Sequence, residues 1–245
     1  MALPVLETNT FELTLPSSDV KVKYRPFLVK EEKILLQALE SNEPKQISQA
    51  LKDIVKSCTF GQIDGENMPT FDLEYVFLQI RAKSVGEITK LKMLCPDDKK
   101  TYGEVEIDLT KVEVQVDESH TNNIVVDKDK NIGIIMKYPT IDSVDTSKNV
   151  RGMRTEQLFE MIASCMHEIY EGEKVHSVKD YSTEDLHKFL ENCNGDVFKK
   201  INEFFETMPM LKHELELENP KTKVKNKIVL KGAQDFFGLP SLTTA

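Results

Sequence analysis

The stretch around Cys95-Pro96 is the first place where residue types and spacing could support chemistry. Apolar and polar residues alternate up to this pair and again toward Leu109, which predicts a hairpin with the pair in its turn. A zinc knuckle needs two thiolates about two to four residues apart at such a turn, and a second pair alongside. Here the third residue after Cys95, where a second thiolate would be needed, is Asp98. A second hairpin has Asn219 where a cysteine would be needed. The sequence therefore predicts no metal site, and it favours a structural, ribbon-like turn.

The other reactive residue types lack the spacing that known chemistry requires. The four cysteines form no C-x-x-C pair, and the five histidines form neither H-x-x-x-H nor H-E-x-x-H. The phosphate-binding glycine patterns and the G-x-S-x-G elbow are also absent from the sequence. We therefore predict that the protein is not an enzyme, with no catalytic residue and no cofactor. A hydrolase site assembled only in the fold, around His167 or His187, stays open as an alternative.

Composition narrows the class of protein further. Hydrophobic residues make up 40% and charged residues 30% of the 245-residue chain, which is typical of a globular protein rather than a disordered one. The formal net charge of −9 disfavours a broad nucleic-acid-binding face, which needs a surplus of lysine and arginine. The sequence contains no apolar run of about 20 residues and no secretory leader pattern. We therefore expect no nucleic-acid partner, no membrane partner and a cytoplasmic location, where disulfides are not expected.

The periodicity predicts an α+β fold in which small antiparallel sheets pack on helical blocks. Residues 1–139 form the predicted N-terminal domain, with a hairpin, three helices and antiparallel strands. In its first helix, Ile34 and Ala38 belong to the predicted buried stripe. A polar segment at 140–149 marks the predicted boundary. Residues 150–245 form the predicted C-terminal helical block, whose first helical stripe continues to Ile169, followed by a terminal hairpin and a short helix.

Two hairpins of the chain share a register. Leu91, Met93 and Pro96 align with Leu215, Leu217 and Pro220, and an alternating strand follows in both segments. The chain therefore divides into two halves, each with helices followed by a hairpin. A weak internal repeat is one interpretation, and two unrelated hairpins with proline in the turn are the other.

The aromatic pair near the C-terminus is the predicted partner-binding site. Phe236, Phe237 and Leu239 close the folded part of the chain, and an exposed aromatic pair can anchor a partner. Capping of the core is the favoured role for the same residues, and they are also the candidate partner-binding residues of the chain.

Five stretches carry a resemblance to a known family. They are Met1-Ala2-Leu3-Pro4, Tyr24-Arg25-Pro26-Phe27, Val29-Lys30-Glu31-Glu32-Lys33, the segment 77–87 (FLQIRAKSVGE) and the segment 230–237 (LKGAQDFF). The chain resembles the baseplate hub and hub-assembly proteins of T-even-like contractile-tailed bacteriophages. The resemblance covers the whole chain and is strongest over its first 95 residues.

The resemblance implies a late-expressed phage protein that helps to build the central hub of the tail baseplate. It would act without catalysis, as a hub component or as an assembly chaperone, in the host cytoplasm and, if retained, in the virion. Its partners would be other hub and tail proteins, with an oligomeric state that the resemblance does not fix. The alternative is a degenerate zinc-ribbon-like adaptor for nucleic acid or polymerase, which depends on the Cys95-Pro96 hairpin.

Overall fold

The computed structural model describes residues 8–41, 43–143 and 154–237, with the side chains of 233, 234 and 237 left out. Contacts between residues divide the chain into two compact units. Unit 1 combines the described residues up to Gln115 with those from Met210 onward, and unit 2 takes Val116–Pro209. The α+β prediction is confirmed, because helices and small antiparallel sheets make up the fold.

The helices of the described chain are α1 (Val29–Ser41), α2 (Pro44–Cys58), α3 (Thr70–Val85), α4 (Thr155–Cys165), α5 (Thr183–Glu191), α6 (Gly195–Thr207) and α7 (Gly232–Phe237). The strands are β1 (Phe11–Thr14), β2 (Lys21–Tyr24), β3 (Ile88–Leu94), β4 (Tyr102–Asp108), β5 (Glu113–Gln115), β6 (Asn123–Asp127), β7 (Ile132–Met136), β8 (Met166–Glu171), β9 (Lys174–Ser177), β10 (Met210–Glu218) and β11 (Lys225–Lys231).

Unit 1 is organised around α3, which is apolar on nearly all sides. Leu73, Val76, Leu78 and Ile80 have no exposed surface. A helix that is apolar all round must be covered on more than one face. The face containing Leu78 packs into a cluster with residues of the β3–β4 hairpin, the β11-β10-β5 sheet and α7. Helix α3 therefore anchors the β3–β4 and β10–β11 hairpins of unit 1.

Helix α1 departs from its predicted pattern. Ala38 is buried as predicted, but Ile34 is 40% exposed, and the most deeply buried side chain of the helix is that of Glu31. The apolar periodicity was a poor guide here because a charged residue occupies the inner face. Glu31 is buried because it has a cationic partner in the unit, as described below.

Unit 2 is a four-stranded antiparallel sheet, ordered β6-β7-β8-β9, with the three helices α4 to α6. The predicted helical stripe through Ile169 is wrong at its C-terminal end, because α4 stops at Cys165 and Ile169 lies in β8. Gly172 explains the difference, since its φ of +62° allows the tight turn that pairs β8 with β9. The C-terminal helical block therefore also contains a hairpin that the sequence analysis did not identify.

The contact grouping and the predicted domains do not coincide. Strand β10 follows unit 2 in the chain but pairs with β5, where Leu211 lies opposite Val114. The chain thus leaves unit 1 after β5 and returns to it at β10. The predicted domains 1–139 and 150–245 stay a prediction about which segments fold independently, and residues 144–149 of the predicted boundary lie outside the described residues.

Candidate functional site

The β3–β4 and β10–β11 hairpins of unit 1 end in turns that close through the same kind of hydrogen-bond pair, and the first turn is one residue longer than the second. In the first turn, the Cys95 amide donates to the Thr101 carbonyl over 2.8 Å, and the Lys99 amide donates back to the Cys95 carbonyl over 3.0 Å. In the second, Asn219 donates to Val224 over 2.9 Å, and Lys223 donates back to Asn219 over 2.9 Å. Both lysines have left-handed backbone, with φ of 51° and 62°. The β1–β2 hairpin closes in the same way, through Leu15, Val20 and the left-handed Asp19, so this turn form is shared by the three described hairpins of unit 1 and does not by itself indicate a repeat.

Asp97 joins the two turns. Its carboxylate accepts hydrogen bonds from Asn219 Nδ2 at 3.0 and 3.1 Å, from Thr222 Oγ1 at 2.6 Å and from Asn226 Nδ2 at 3.1 Å. Hydrogen bonds from Asn219 and Thr222 lower the pKa of this carboxyl, because they favour its charged form. Segments more than 120 residues apart in the chain are thus held together by one ionised side chain.

Each turn also has an internal brace of its own. Asp98 accepts from the amides of Lys100 and Thr101 and from the Thr101 hydroxyl, and these bonds lower its pKa. Asn219, which has no exposed surface, accepts at Oδ1 from the amides of Lys221 and Thr222. Each turn is therefore stabilised by hydrogen bonds within itself.

The two turns do not carry the ligand set of a two-knuckle metal site. Cys95 and Asp98 occupy the ligand positions of one turn, and Asn219 and Thr222 occupy those of the other. Burial, followed by the charges of Asp97 and Asp98, raises the pKa of the Cys95 thiol, which disfavours the thiolate that a metal would need. No group of three or more metal-ligating side chains occurs within the described residues. Hydrogen bonds to Asp97 join the turns in this structure.

Replacing Asn219 with alanine is expected to lower the free energy of unfolding by about 2–3 kcal/mol, because it leaves two turn amides without their acceptor and removes donors to Asp97. Asn226→Ala is the matched control, since Asn226 also donates to Asp97 but is only half-buried. We expect a loss below about 1 kcal/mol for the control in urea denaturation. Equal losses for the two variants would contradict the structural role of Asn219.

A second polar centre of unit 1 lies between β2 and helices α1 and α2. Arg25 is 7% exposed and Glu31 2% exposed, and Arg25 Nη2 lies 2.8 Å from Glu31 Oε1. Ser57 Oγ donates to the same carboxylate oxygen over 2.8 Å, and the Leu28 amide donates to the other over 2.8 Å. Because the Leu28 amide precedes α1, Glu31 also caps the start of this helix.

These contacts determine the protonation of Glu31. Burial raises the pKa of its carboxyl, but hydrogen bonds from Arg25, Leu28 and Ser57 outweigh burial and lower the pKa to about 2. The same ion pair raises the pKa of Arg25. The pair is therefore fully ionised at neutral pH.

Acid is expected to weaken the fold through Glu31. Its folded pKa of about 2 lies below the ordinary value of 4.5, so its stabilisation is complete above about pH 4.5 and is lost as the pH falls toward 2. Between pH 6 and pH 3, the free energy of unfolding should fall in both proteins. We expect the fall to be about 2 kcal/mol smaller in Glu31→Gln than in wild type. Glu32→Gln, on the exposed side of α1, is the control. Parallel pH profiles for wild type and Glu31→Gln in urea denaturation would refute this assignment.

The family described as "T4 bacteriophage base plate protein" matches residues 8–238. The chain belongs to this family. No curated protein and no solved structure matches the chain at the same standard of significance. The resemblance noted in the sequence is thus confirmed at the level of a T4-like phage baseplate protein.

Two of the stretches that carry the baseplate resemblance meet in the polar centre of unit 1. Arg25 belongs to Tyr24-Arg25-Pro26-Phe27 and Glu31 to Val29-Lys30-Glu31-Glu32-Lys33. The sequence gives no periodic signal for this contact, since both residues read as surface charges. The cue is the proline after Arg25, which ends β2 and turns the chain so that α1 starts beside it.

Two thiols and two histidines of this baseplate protein bear on the hydrolase alternative, and each has a packing or ion-pair neighbour. Burial raises the pKa of both Cys58 and Cys165 to about 11. His167 is exposed, 3.6 Å from Glu168, and His187 packs edge-on against Phe159 at 6.0 Å between ring centroids. Across the described ranges, no hydrogen bond joins either histidine to a thiol or hydroxyl.

His120 makes half-buried contacts that the sequence analysis missed. Its ring nitrogens lie 2.9 Å from Thr207 Oγ1 and 3.1 Å from the Tyr138 hydroxyl, and its ring packs on Phe204. Burial lowers the pKa of the imidazole, despite the opposing charge of Asp117. In unit 2, His120 is therefore a half-buried imidazole whose uncharged form is favoured and whose ring nitrogens contact two hydroxyl groups.

Unit 2 also has an open apolar recess between its sheet and α5, with a volume of about 560 Å³. Ile169, Leu186 and Phe189 line it, and Glu171 and Asp185 belong to its wall. His176 Nδ1 lies 2.5 Å from the Tyr181 hydroxyl at the same place. Three lining residues also belong to the core of unit 2: Leu186 is a member of its buried cluster, and Ile169 and Phe189 pack against that cluster.

The predicted partner-binding residues are only partly described. Phe236 has no exposed surface and packs in the core cluster of unit 1. The side chain of Phe237 and all of Leu239 lie outside the described residues. Partner binding by these three residues stays a prediction. Of the described helices, none has the length and apolar character needed to cross a membrane.

Proposed function

We propose that this baseplate protein acts in building the central hub of the tail, through contacts with other hub and tail proteins and without catalysing a reaction. The observation that carries the proposal is the family match over residues 8–238, nearly the whole chain. The hub assignment itself comes from the resemblance of the sequence to hub and hub-assembly proteins. On this proposal the protein is made late in infection and acts in the host cytoplasm, binding neither nucleic acid nor membrane.

Several features of the fold support a binding role over a catalytic one. The thiols of Cys58 and Cys165 are buried with raised pKa values, so they are poor nucleophiles. Exposed apolar side chains are instead found at strand ends, with Ile88 64% exposed and Tyr102 55% exposed. Exposed apolar groups at strand ends are suited to contact with other proteins.

Quantitative mass spectrometry of purified particles and infected-cell lysate tests the proposal. A fixed small-integer ratio to known tail proteins in particles would identify a hub component. Abundance in lysate and in tail intermediates, but absence from particles, would identify an assembly factor that leaves on completion. A protein that copurifies with neither particles nor tail intermediates would overturn the proposal and favour the adaptor alternative. A capsid protein serves as the control that is retained in particles, and a phage replication protein as the control that is excluded from them.

A further inference from the structure

The two joined turns of unit 1 present an exposed apolar group, which we call the turn tip and define as residues 94–102 and 219–225. Leu94 is 43% exposed, Tyr102 55% exposed and Val224 46% exposed. Leu94 and Tyr102 are the last cross-strand pair of the β3–β4 hairpin. Val224 accepts the hydrogen bond that closes the second turn. An aromatic and two aliphatic side chains thus remain in solvent at one end of unit 1.

The neighbouring hairpin is held close to this apolar group. A Cβ atom at Gly103 would lie 2.9 Å from Leu217 Cδ1 and 3.2 Å from the Glu218 carbonyl. A side chain at position 103 would crowd Leu217 and the Glu218 carbonyl, so the strands on which the two turns sit are in direct contact. This contact and the hydrogen bonds of Asp97 hold the two turns of the turn tip against each other in the folded chain.

Lysine is the most frequent charged residue of the turn tip. The turn tip contains five lysines against two aspartates, so it is positively charged in a chain whose formal net charge is −9. Lys223 and Lys225 have acidic neighbours, 3.7 Å from Glu218 and 3.6 Å from Glu216. The other three are exposed and have no ion-pair partner in the part of the chain that the structure describes: Lys99, Lys100 and Lys221.

Both aspartates of the turn tip are already engaged. Asp97 accepts from the second turn and Asp98 from its own turn, so their charges are directed at donors within unit 1. The unpaired lysine ammonium groups are therefore the available charges of this surface. Apolar centres with charged rims are typical of protein–protein interfaces, where the aromatic anchor supplies affinity and the rim supplies orientation.

We infer that the turn tip is a docking surface for an acidic segment of another tail protein, which places an apolar side chain against Tyr102 and carboxylates against Lys99, Lys100 and Lys221. This inference deepens the proposed function and rests on it. Charge complementarity selects the acidic occupant, and the apolar centre selects a protein over a nucleic acid backbone. The hydrogen bonds of Asp97 fix the surface in advance, which reduces the entropic cost of docking.

Zero-length carbodiimide coupling in tail intermediates from infected cells tests the inference. The reagent joins a lysine amine to a carboxylate only where the two are in direct contact. We expect cross-linked peptides that join Lys99, Lys100 or Lys221 to aspartate or glutamate of one second tail protein. Cross-links to tail proteins from other lysines, with none from these three, would overturn the docking surface but leave the proposed function intact. Absence of this chain from every tail intermediate would overturn the proposed function itself.

Charge reversal supplies the second arm. We expect Lys100→Glu/Lys221→Glu to reduce recovery of this chain with tail intermediates about tenfold, because like charges at an interface oppose docking. Lys128→Glu/Lys130→Glu makes the same change in net charge at an exposed turn of unit 2 and should leave recovery unchanged. Circular dichroism confirms that both variants fold. Equal recovery of the two would overturn the inference.

A substitution that alters no charge tests the contribution of the Tyr102 side chain to docking separately from that of the lysines. Tyr102→Ser should also reduce recovery with tail intermediates, while leaving thermal stability nearly unchanged because Tyr102 is exposed. If binding by the turn tip is lost on nuclease treatment of the intermediates, the occupant is nucleic acid and the inference of an acidic protein segment fails.

Discussion

Replacing Arg25 with alanine is expected to lower the free energy of unfolding by about 3–5 kcal/mol. The substitution removes the buried cation from the Glu31 carboxylate, which is 2% exposed and retains the solvent-exposed Lys30 ammonium at 3.4 Å. It also removes the hydrogen bond from Arg25 to Ser57 Oγ at 3.1 Å, so β2 loses a direct link to α2. We expect the destabilisation to come mainly from a buried carboxylate that the exposed Lys30 compensates poorly, and only partly from the lost attraction.

Urea denaturation of wild type and Arg25→Ala at neutral pH measures this effect. Lys21→Ala is the control, because Lys21 and Glu12 form an exposed ion pair at 3.3 Å that we expect to contribute less than about 1 kcal/mol. A loss below about 1 kcal/mol for Arg25→Ala would show that the pair is not desolvated in the folded protein.

A double variant distinguishes the charge from the packing. Arg25→Met/Glu31→Leu replaces both ions with apolar side chains, and we expect it to be more stable than Arg25→Ala, since no buried charge remains. If the double variant is as unstable as the single one, the capping of α1 by Glu31 through the Leu28 amide is the dominant contribution.

Local patterns were sufficient where one interaction determined the structure. The three predicted helices of the N-terminal domain are present, and in α2 the helically spaced Ile47, Leu51 and Ile54 are all buried. The matched hairpins were predicted because alternation and a proline in the turn are local signals. Helix α4 was predicted too long because apolar residues continue through Ile169, and only the pairing of β8 with β7 and β9 makes that segment a strand.

The candidate site depended on contacts that no local pattern encodes. The sequence identified both turns and the substitution of Asn219 for a cysteine, but it did not place Asp97 against Asn219, Thr222 and Asn226. Short polar residues in turns usually bond within their own turn, as Asp98 does. A bond between turns requires the two hairpins to be packed side by side, which is a property of the whole unit.

Replacing Phe204 with alanine is expected to lower the free energy of unfolding of unit 2 by about 3–5 kcal/mol. Phe204 is 1% exposed and stacks on Tyr138 at 5.8 Å, and its ring contacts His120 and Phe205. The cavity would therefore open inside an aromatic cluster and loosen the hydrogen bonds of His120. Val175→Ala, at a side chain that is 59% exposed in the same unit, is the control for truncation without a cavity.

Hydrogen exchange of Phe204→Ala decides how the destabilisation is distributed. Phe204 lies in α6, and β10 begins three residues after that helix ends. If the contact grouping describes the folding units, exchange accelerates in β6–β9 and α4–α6, while β10 and β11 stay protected through their pairing with β5 and each other. Acceleration in β10 and β11 as well would favour the division at 1–139 and 150–245. The former result would mean that the turn tip remains formed when unit 2 opens, because both of its hairpins belong to unit 1.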